Sequence, residues 1–212
     1  RVVYDGPGMA GKTTNLHKIC EFIPAERRSE MVTPAELKGR TMFFDWLEVD
    51  GPRRSPAPIK LQLISVPGQI ERNYRRRPLV EAADVVVFVC DSSPKQIPET
   101  MRAFARLRGT IKQRKSPIPV VVQVNKQDVP GALDPQRMKK RLKLAEDVPV
   151  LAASAAQGVG AHAGNFNDSI WCGCARRHRI RNQDRRRFPV QRTSLIDRRG
   201  RQGLACLRSV HQ

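Results

Sequence analysis

The chain has 212 residues, 40% of them hydrophobic, which suits one domain with a substantial core, or one domain plus a tail. Its net charge of +19 is divided unevenly: the balance is +10 through Gly160 and +9 over the much shorter remainder, so the excess is concentrated in the tail. The five cysteines are odd in number and scattered, and the longest apolar run, Val85 to Cys90, is only strand-sized, which excludes a disulfide scaffold and a membrane-spanning helix. A reduced, cytoplasmic protein is expected, with no signal peptide and no lipidation cysteine, since Cys206 lies too far from Gln212. The chain starts at Arg1, directly on a strand, so a few leading residues are expected to be missing.

The short apolar run Val2-Val3-Tyr4 delivers the chain into Gly6-Pro7-Gly8-Met9-Ala10-Gly11-Lys12-Thr13, followed by Thr14. This fits G-x-x-x-x-G-K-[ST], the phosphate-binding P-loop. Its glycines let the backbone wrap a polyphosphate with N–H groups turned inward, and the helix opening near Gly11 presents its positive end to the phosphates. Lys12 is expected to reach the β- and γ-phosphates, and the Thr13 hydroxyl to hold Mg²⁺. A glycine turn that shares only the spacing is the plain alternative, and the strand–turn–helix context argues against it.

Thr13 to Phe22 reads as a helix with Leu16, Ile19 and Cys20 on one face, ended by Pro24. A polar, irregular stretch runs to Arg40. Thr41 to Val49 reads as a strand, the prolines between Gly51 and Pro58 mark a turn, and Ile59 to Val66 reads as its hairpin partner. Pro67-Gly68-Gln69 forms a second loop, and Glu71 to Arg77 is basic and poorly periodic. Val85 to Cys90 has the continuous apolar character of a strand buried on both faces. Pro98 to Lys115 reads as a helix packed through Met101, Phe104, Leu107 and Ile111. Pro119 to Val124 is another buried strand, Asp134-Pro135 starts a helix running to about Leu144, and Val148 to Ala152 is the last strand. The alternation predicts an α/β fold, a doubly wound, mostly parallel sheet with one antiparallel hairpin.

Asn125-Lys126-Gln127-Asp128 follows the strand 120–124, at the carboxyl end where such sheets bind ligands. An Asp carboxylate there can accept from both the N1–H and the 2-amino group of guanine, a donor pair that adenine lacks. Ser154 and Ala155, after the last strand, fit a loop that supports the base. With a P-loop upstream, N-K-x-D selects guanine over a plain polar loop.

The stretches GPGMAGKTTN at 6–15, GRTMFFDWL at 39–47, SVPGQ at 65–69 and NKQD at 125–128 together resemble a small Ras-like GTPase, and within that group the bacterial gliding-motility MglA type. The resemblance covers about residues 1–160. It implies a P-loop NTPase fold, the Ras-like G domain, and a GTP/GDP switch that hydrolyses GTP slowly by itself. By resemblance the cofactor is Mg²⁺, held by Thr13 and Thr41. Thr41 matches the threonine that senses the γ-phosphate. Arg40 matches an internal arginine finger, although a solvated loop charge is its plain reading, and Gln69 matches the glutamine that orients the attacking water. Catalysis would then rest on Gln69, Arg40 and Lys12. The nucleotide would be bound by Gly6, Gly8, Met9, Ala10, Gly11, Lys12, Thr13, Thr14, Thr41, Gly68, Asn125, Lys126, Asp128, Ser154 and Ala155. A roadblock-type, MglB-like activating partner and motility or polarity effectors are implied, with no specific nucleic acid. One departure stands out: the family pattern D-x-x-G would place an acid at Ser65, as the MglA type also lacks. Asp45 is a candidate substitute, or a strand residue facing water. A guanine-nucleotide scaffold with little or no hydrolysis is the alternative function.

From Ala161 the composition breaks. No lysine follows Lys143 and no glutamate follows Glu146, arginine is abundant, and the long amphipathic helix expected to end such a domain is not legible. The readings are a frame-shifted C-terminus, natural disorder, or an arginine-rich acidic-surface or nucleic-acid segment. Cys172, Cys174 and His178 lack an evident fourth metal ligand and read better as free thiols and a histidine.

Overall fold

The apolar run Val2–Asp5 forms β1, a strand buried along its whole length from which the sheet spreads both ways. The computed structural model describes residues 1–33, 44–51, 59–66 and 73–160, the side chains of 73–75 excepted. On one side β1 pairs in parallel with β3 (Lys60–Ser65), and β3 pairs antiparallel with β2 (Asp45–Asp50). On the other side come β4 (Val85–Asp91), β5 (Val120–Asn125) and β6 (Val150–Ala152), all parallel. The order β2-β3-β1-β4-β5-β6 means that the chain leaves β1 toward one edge and later returns past it to build the other. The carboxyl end of β1 is therefore the switch point, where open α/β sheets bind ligands. The expected hairpin and parallel core are both present.

The sheet is covered on two faces. Leu16 and Ile19 of α1 (Lys12–Phe22) pack against Tyr4, Val87, Val89 and Leu47. On the opposite face Ala103, Phe104 and Leu107 of α3 (Ile97–Lys112) and Met138 of α4 (Pro135–Arg141) pack with Val3, Val86, Phe88 and Val122. The Phe88 and Phe104 rings meet at 4.9 Å and 60°, a tilted geometry contributing about 1 kcal/mol beyond simple burial. Asp134 caps α4 as expected, accepting from the Arg137 amide at 2.9 Å with Pro135 in the first turn.

Three local readings need correction. The stretch 71–77, taken as poorly periodic, runs into a helix, α2 (Asn73–Ala82), with Pro78 inside it. Pro78 has no N–H to give to the Tyr74 carbonyl, and burial of Arg76 and Val80 holds the helix in spite of that loss. Met101, expected in the core, is 39% exposed; the buried face of α3 is Thr100, Ala103, Phe104 and Leu107. Thr100 can be buried because its hydroxyl donates to the Asp91 carbonyl at 3.0 Å. Finally, part of the stretch read as irregular after Pro24 is ordered along the sheet edge. Arg28 and Val32 bridge antiparallel to Val49 and Trp46, so the outer side of β2 is partly paired.

Candidate functional site

The P-loop leaves β1 at Asp5 and closes on α1. Two of its glycines are sterically required. A Cβ at Gly6, where φ is +150°, would stand 2.3 Å from the Val89 carbonyl oxygen. A Cβ at Gly11, where φ is +95°, would stand 2.3 Å from Asn125 Nδ2. Gly8 is exposed, Ala10 is buried, and Met9 carries an exposed side chain on a left-handed backbone (φ +59°). Such a conformation costs a non-glycine residue roughly 1–2 kcal/mol, so the surrounding loop must enforce it. The N-terminus of α1 has neither a side-chain cap nor an acidic residue in its first turn, which leaves its amides suited to an anion.

Lys12 lies buried beneath this loop, and its ammonium donates to the carbonyl oxygens of Pro7 at 2.6 Å and Gly6 at 3.2 Å. Burial pushes its pKa down to about 8, with Asp5 opposing that shift and Arg76 adding to it. Thr13, on the exposed side of the helix start, donates its hydroxyl to Asp45 Oδ2 at 2.5 Å; Thr14 follows, half-buried. Asp45 is the ladder partner of Ser65. A carboxylate on the strand next to Ser65 thus lies within hydrogen-bond reach of the Thr13 hydroxyl.

The base-reading stretch is tied directly to the P-loop. Asn125, 2% exposed at the end of β5, donates from Nδ2 to the Ala10 carbonyl at 2.7 Å. Its Oδ1 accepts from the Ala155 amide at 2.8 Å. One buried side chain therefore fixes the phosphate loop, β5 and the loop after β6 relative to one another. Lys126, with φ +67°, reaches Asp91 Oδ2 at 2.6 Å. Asp128 is exposed, and its Oδ1 accepts the Ser154 hydroxyl at 2.5 Å, while among the described residues Oδ2 has no hydrogen bond. A cavity of about 420 Å³ lies beside the P-loop, lined by Met9, Asp91, Pro94, Lys95, Lys126 and Val129 among others.

The structure thus brings the P-loop residues together with Asn125, Lys126, Asp128, Ser154 and Ala155. Arg40, Thr41, Gly68, Gln69 and the whole tail after Gly160 lie outside the described residues. Sequence reasoning missed several polar residues around the site. Gln123 donates to Asn15 Oδ1 at 2.8 Å, and Asn15 donates to the Gly11 carbonyl at 2.8 Å, bracing the start of α1 from below. Asp5 and Arg76 form a buried ion pair. The available signal was a polar side chain ending or interrupting an apolar strand: Asp5 after Val-Val-Tyr, Gln123 within Val-Val-Val-Gln-Val, and Asp91 after Val-Phe-Val-Cys.

A sheet whose first strand enters a P-loop, with an N-K-x-D turn tied back to that loop, defines a guanine-nucleotide-binding P-loop protein. The profile of the ADP-ribosylation factor family (Arf) matches residues 1–165. The chain is 33% identical over 163 residues to the mutual gliding-motility protein MglA of Myxococcus xanthus, covering 76% of this chain and 83% of that one. It is 30% identical over 173 residues to mouse ADP-ribosylation factor-like protein 4D, covering 77% and 78%. The fold resembles that of the Arl6 (BBS3) small GTPase of Trypanosoma brucei, solved with the nucleotide analogue GppNp. That match has a TM-score of 0.59 at 21% identity and covers 84% of this chain and 96% of the other. The chain belongs to the ADP-ribosylation factor family and is a small Ras-like GTPase of the MglA type. It binds GTP and GDP and acts as a switch, in a family whose members hydrolyse GTP. Among the described residues no helix is long and apolar enough to cross a membrane.

Proposed function

We propose that GTP is bound with its phosphates on the loop from Gly6 to Thr14 and its base against Asn125, Lys126, Asp128, Ser154 and Ala155. The observation that carries this reading is Asn125, whose side chain joins Ala10 of the phosphate loop to Ala155 of the base-side loop. In this reading Asp128 uses its exposed carboxylate to accept from guanine, held in place by the Ser154 hydroxyl. Lys12 exchanges its contacts with Gly6 and Pro7 for phosphate oxygens.

Mg²⁺ fits the oxygen donors that Thr13 and Asp45 present. No group of three or more His, Cys, Asp or Glu that could hold a metal exists among the described residues, whereas Thr13 offers a hydroxyl with the Asp45 carboxylate beside it. A hard cation shared between one or two protein oxygens and phosphates is the usual arrangement for Mg²⁺. Thr13 and Thr41 would hold it, with Asp45 in the supporting position that Ser65 cannot fill. Bound there, the ion would neutralise charge on the β- and γ-phosphate oxygens.

Hydrolysis is assigned to Gln69, which orients water, and Arg40, which balances charge developing on the transferred phosphoryl group. Thr41 and Gly68 sense the γ-phosphate, so its loss releases both switch segments. A roadblock-type, MglB-like protein is the proposed activator. Cell polarity or gliding motility is the proposed setting, from the similarity to a protein named for gliding motility. The test is the nucleotide recovered from the purified protein. Guanine nucleotide is expected from the parent and little from Asp128→Ala, whereas adenine nucleotide in the parent would sink the base assignment.

A further inference from the structure

Strand β5 carries one polar residue in its interior. Gln123 stands among four valines with its side chain fully buried, and the two-residue repeat of a strand puts it on the same face as Asn125. Both amides meet the start of α1. Asn125 donates to the Ala10 carbonyl at 2.7 Å. Gln123 donates from Nε2 to Asn15 Oδ1 at 2.8 Å, and Asn15, also fully buried, donates from Nδ2 to the Gly11 carbonyl at 2.8 Å. The Gly11 carbonyl accepts the Asn15 backbone amide as well, at 3.0 Å. Two successive carbonyls of the phosphate loop are therefore held from β5, one directly and one through Asn15.

Holding a carbonyl also aims an amide. A trans peptide unit is planar, with its C=O and N–H pointing in opposite directions. Fixing the Ala10 carbonyl toward Asn125 turns the Gly11 N–H away from that side chain, and fixing the Gly11 carbonyl along α1 turns the Lys12 N–H out of the helix start. Neither amide has an acceptor among the described residues, so both are left for an anion. Stability does not explain the arrangement. Gln123 Oε1 is buried with no hydrogen-bond partner among the described residues, and an apolar pair at 123 and 15 would carry no such penalty. What the pair of amides adds is orientation. Gln123 fixes which way the Asn15 amide faces, so that its NH₂ group and not its oxygen meets the Gly11 carbonyl.

We propose that Gln123, through Asn15, is a positioning residue for the phosphates of the bound nucleotide: it sets the Gly11 carbonyl and thereby aims the Lys12 amide at them. This rests on the reading that the phosphates lie on the loop from Gly6 to Thr14. The effect falls on nucleotide affinity, on the share of it that the phosphates supply. The base end of the site, Asp128 with Ser154, is bonded separately.

The test compares the parent chain with Gln123→Met, with the double variant Asn15→Leu/Gln123→Met and with Lys12→Ala. GDP affinity, guanosine affinity, thermal midpoint and the amide proton resonances of Gly11 and Lys12 in the GDP complex are measured for each. Gln123→Met should bind GDP about tenfold more weakly, and guanosine, which has no phosphate, within about twofold of the parent. The Lys12 amide resonance should move upfield as its hydrogen bond to phosphate weakens, while that of Gly11, held through Asn125, moves less. The double variant, with no unpaired amide left, should show the same loss of GDP affinity at a parental thermal midpoint. Parental GDP affinity in Gln123→Met, with binding lost in Lys12→Ala, overturns the proposal. So does an equal loss for GDP and guanosine, which marks a purely structural role, or a Lys12 resonance that stays in place. Parental GDP affinity in Lys12→Ala instead overturns the placement of the phosphates on which the proposal rests. If the double variant does not fold, Gln123→Met decides alone.

Discussion

The Thr13 hydroxyl donates to the Asp45 carboxylate at 2.5 Å, and Asp45 stands opposite Ser65 in the antiparallel ladder of β2 and β3. Asp45 is therefore the carboxylate placed to take the supporting role proposed for it beside Thr13, one strand across from Ser65. Supporting groups of this kind typically change metal affinity or activity 10- to 100-fold when removed. Asp45→Asn should raise the Mg²⁺ concentration needed to slow GDP release by about tenfold or more. Ser65→Asp added to Asp45→Asn should recover much of that loss. Stopped-flow release of a fluorescent GDP across a Mg²⁺ series reads both effects, and an unchanged midpoint in Asp45→Asn would remove Asp45 from the account.

Gly11 meets two constraints at once, a left-handed backbone and the Asn125 amide 2.3 Å from where a Cβ would be. Gly11→Ala must strain the loop or push Asn125 off the Ala10 carbonyl, and either loosens the joint between the phosphate and base loops. GDP affinity should fall about a hundredfold, equivalent to about 3 kcal/mol of strain and lost hydrogen bonding. Gly109→Ala is the control, since no heavy atom lies within 4 Å of its Cβ position. Calorimetric titration of both variants with GDP distinguishes them, and parental affinity in Gly11→Ala would contradict the close approach.

Burial lowers Lys12 from its ordinary 10.5 to about 8 in the nucleotide-free protein. Below pH 8 the cation is present before binding; above it, binding must also take up a proton. Mg²⁺-free GDP affinity should therefore be level up to about pH 7.5 and fall toward tenfold per pH unit above pH 8. For the empty protein the sign is opposite. The unfolded chain holds this proton up to about 10.5, so the Lys12 contribution to stability rises with pH between 8 and 10.5. Calorimetry in buffers of different ionisation heat counts the proton directly, and affinity that stays flat to pH 9.5 would refute the shift.

The nucleotide loops were legible because their chemistry is local. Gly6 to Thr13 and Asn125 to Asp128 are contiguous, and each follows a largely apolar interior strand that fixes its place at the carboxyl ends of the strands. The strands were legible for the same reason, since β4 is apolar from Val85 to Cys90 and β5 is valine-rich with a single internal polar residue, Gln123. The polar braces were not. Asp5 is separated from Arg76 by 71 residues and Gln123 from Asn15 by 108, and no periodicity links partners so distant. Asp45 was visible as an acid, but its partner across 32 residues was set by the register of β2 on β3. Helix α2 was hidden by Pro78 and three successive arginines, one of which, Arg76, turns inward to meet Asp5. Met101 was misplaced because a threonine hydroxyl found a backbone carbonyl and could be buried in its stead.

The central claim is that this chain hydrolyses GTP at the joint P-loop and N-K-Q-D site through Gln69. Its most direct test is single-turnover phosphate release from bound GTP, for the parent and for Gln69→Leu, each with and without a roadblock-type protein. The account predicts slow release by the parent, acceleration by the partner, and no release above background from Gln69→Leu under either condition. Equal release from parent and variant, or none from the parent even with the partner, would contradict it.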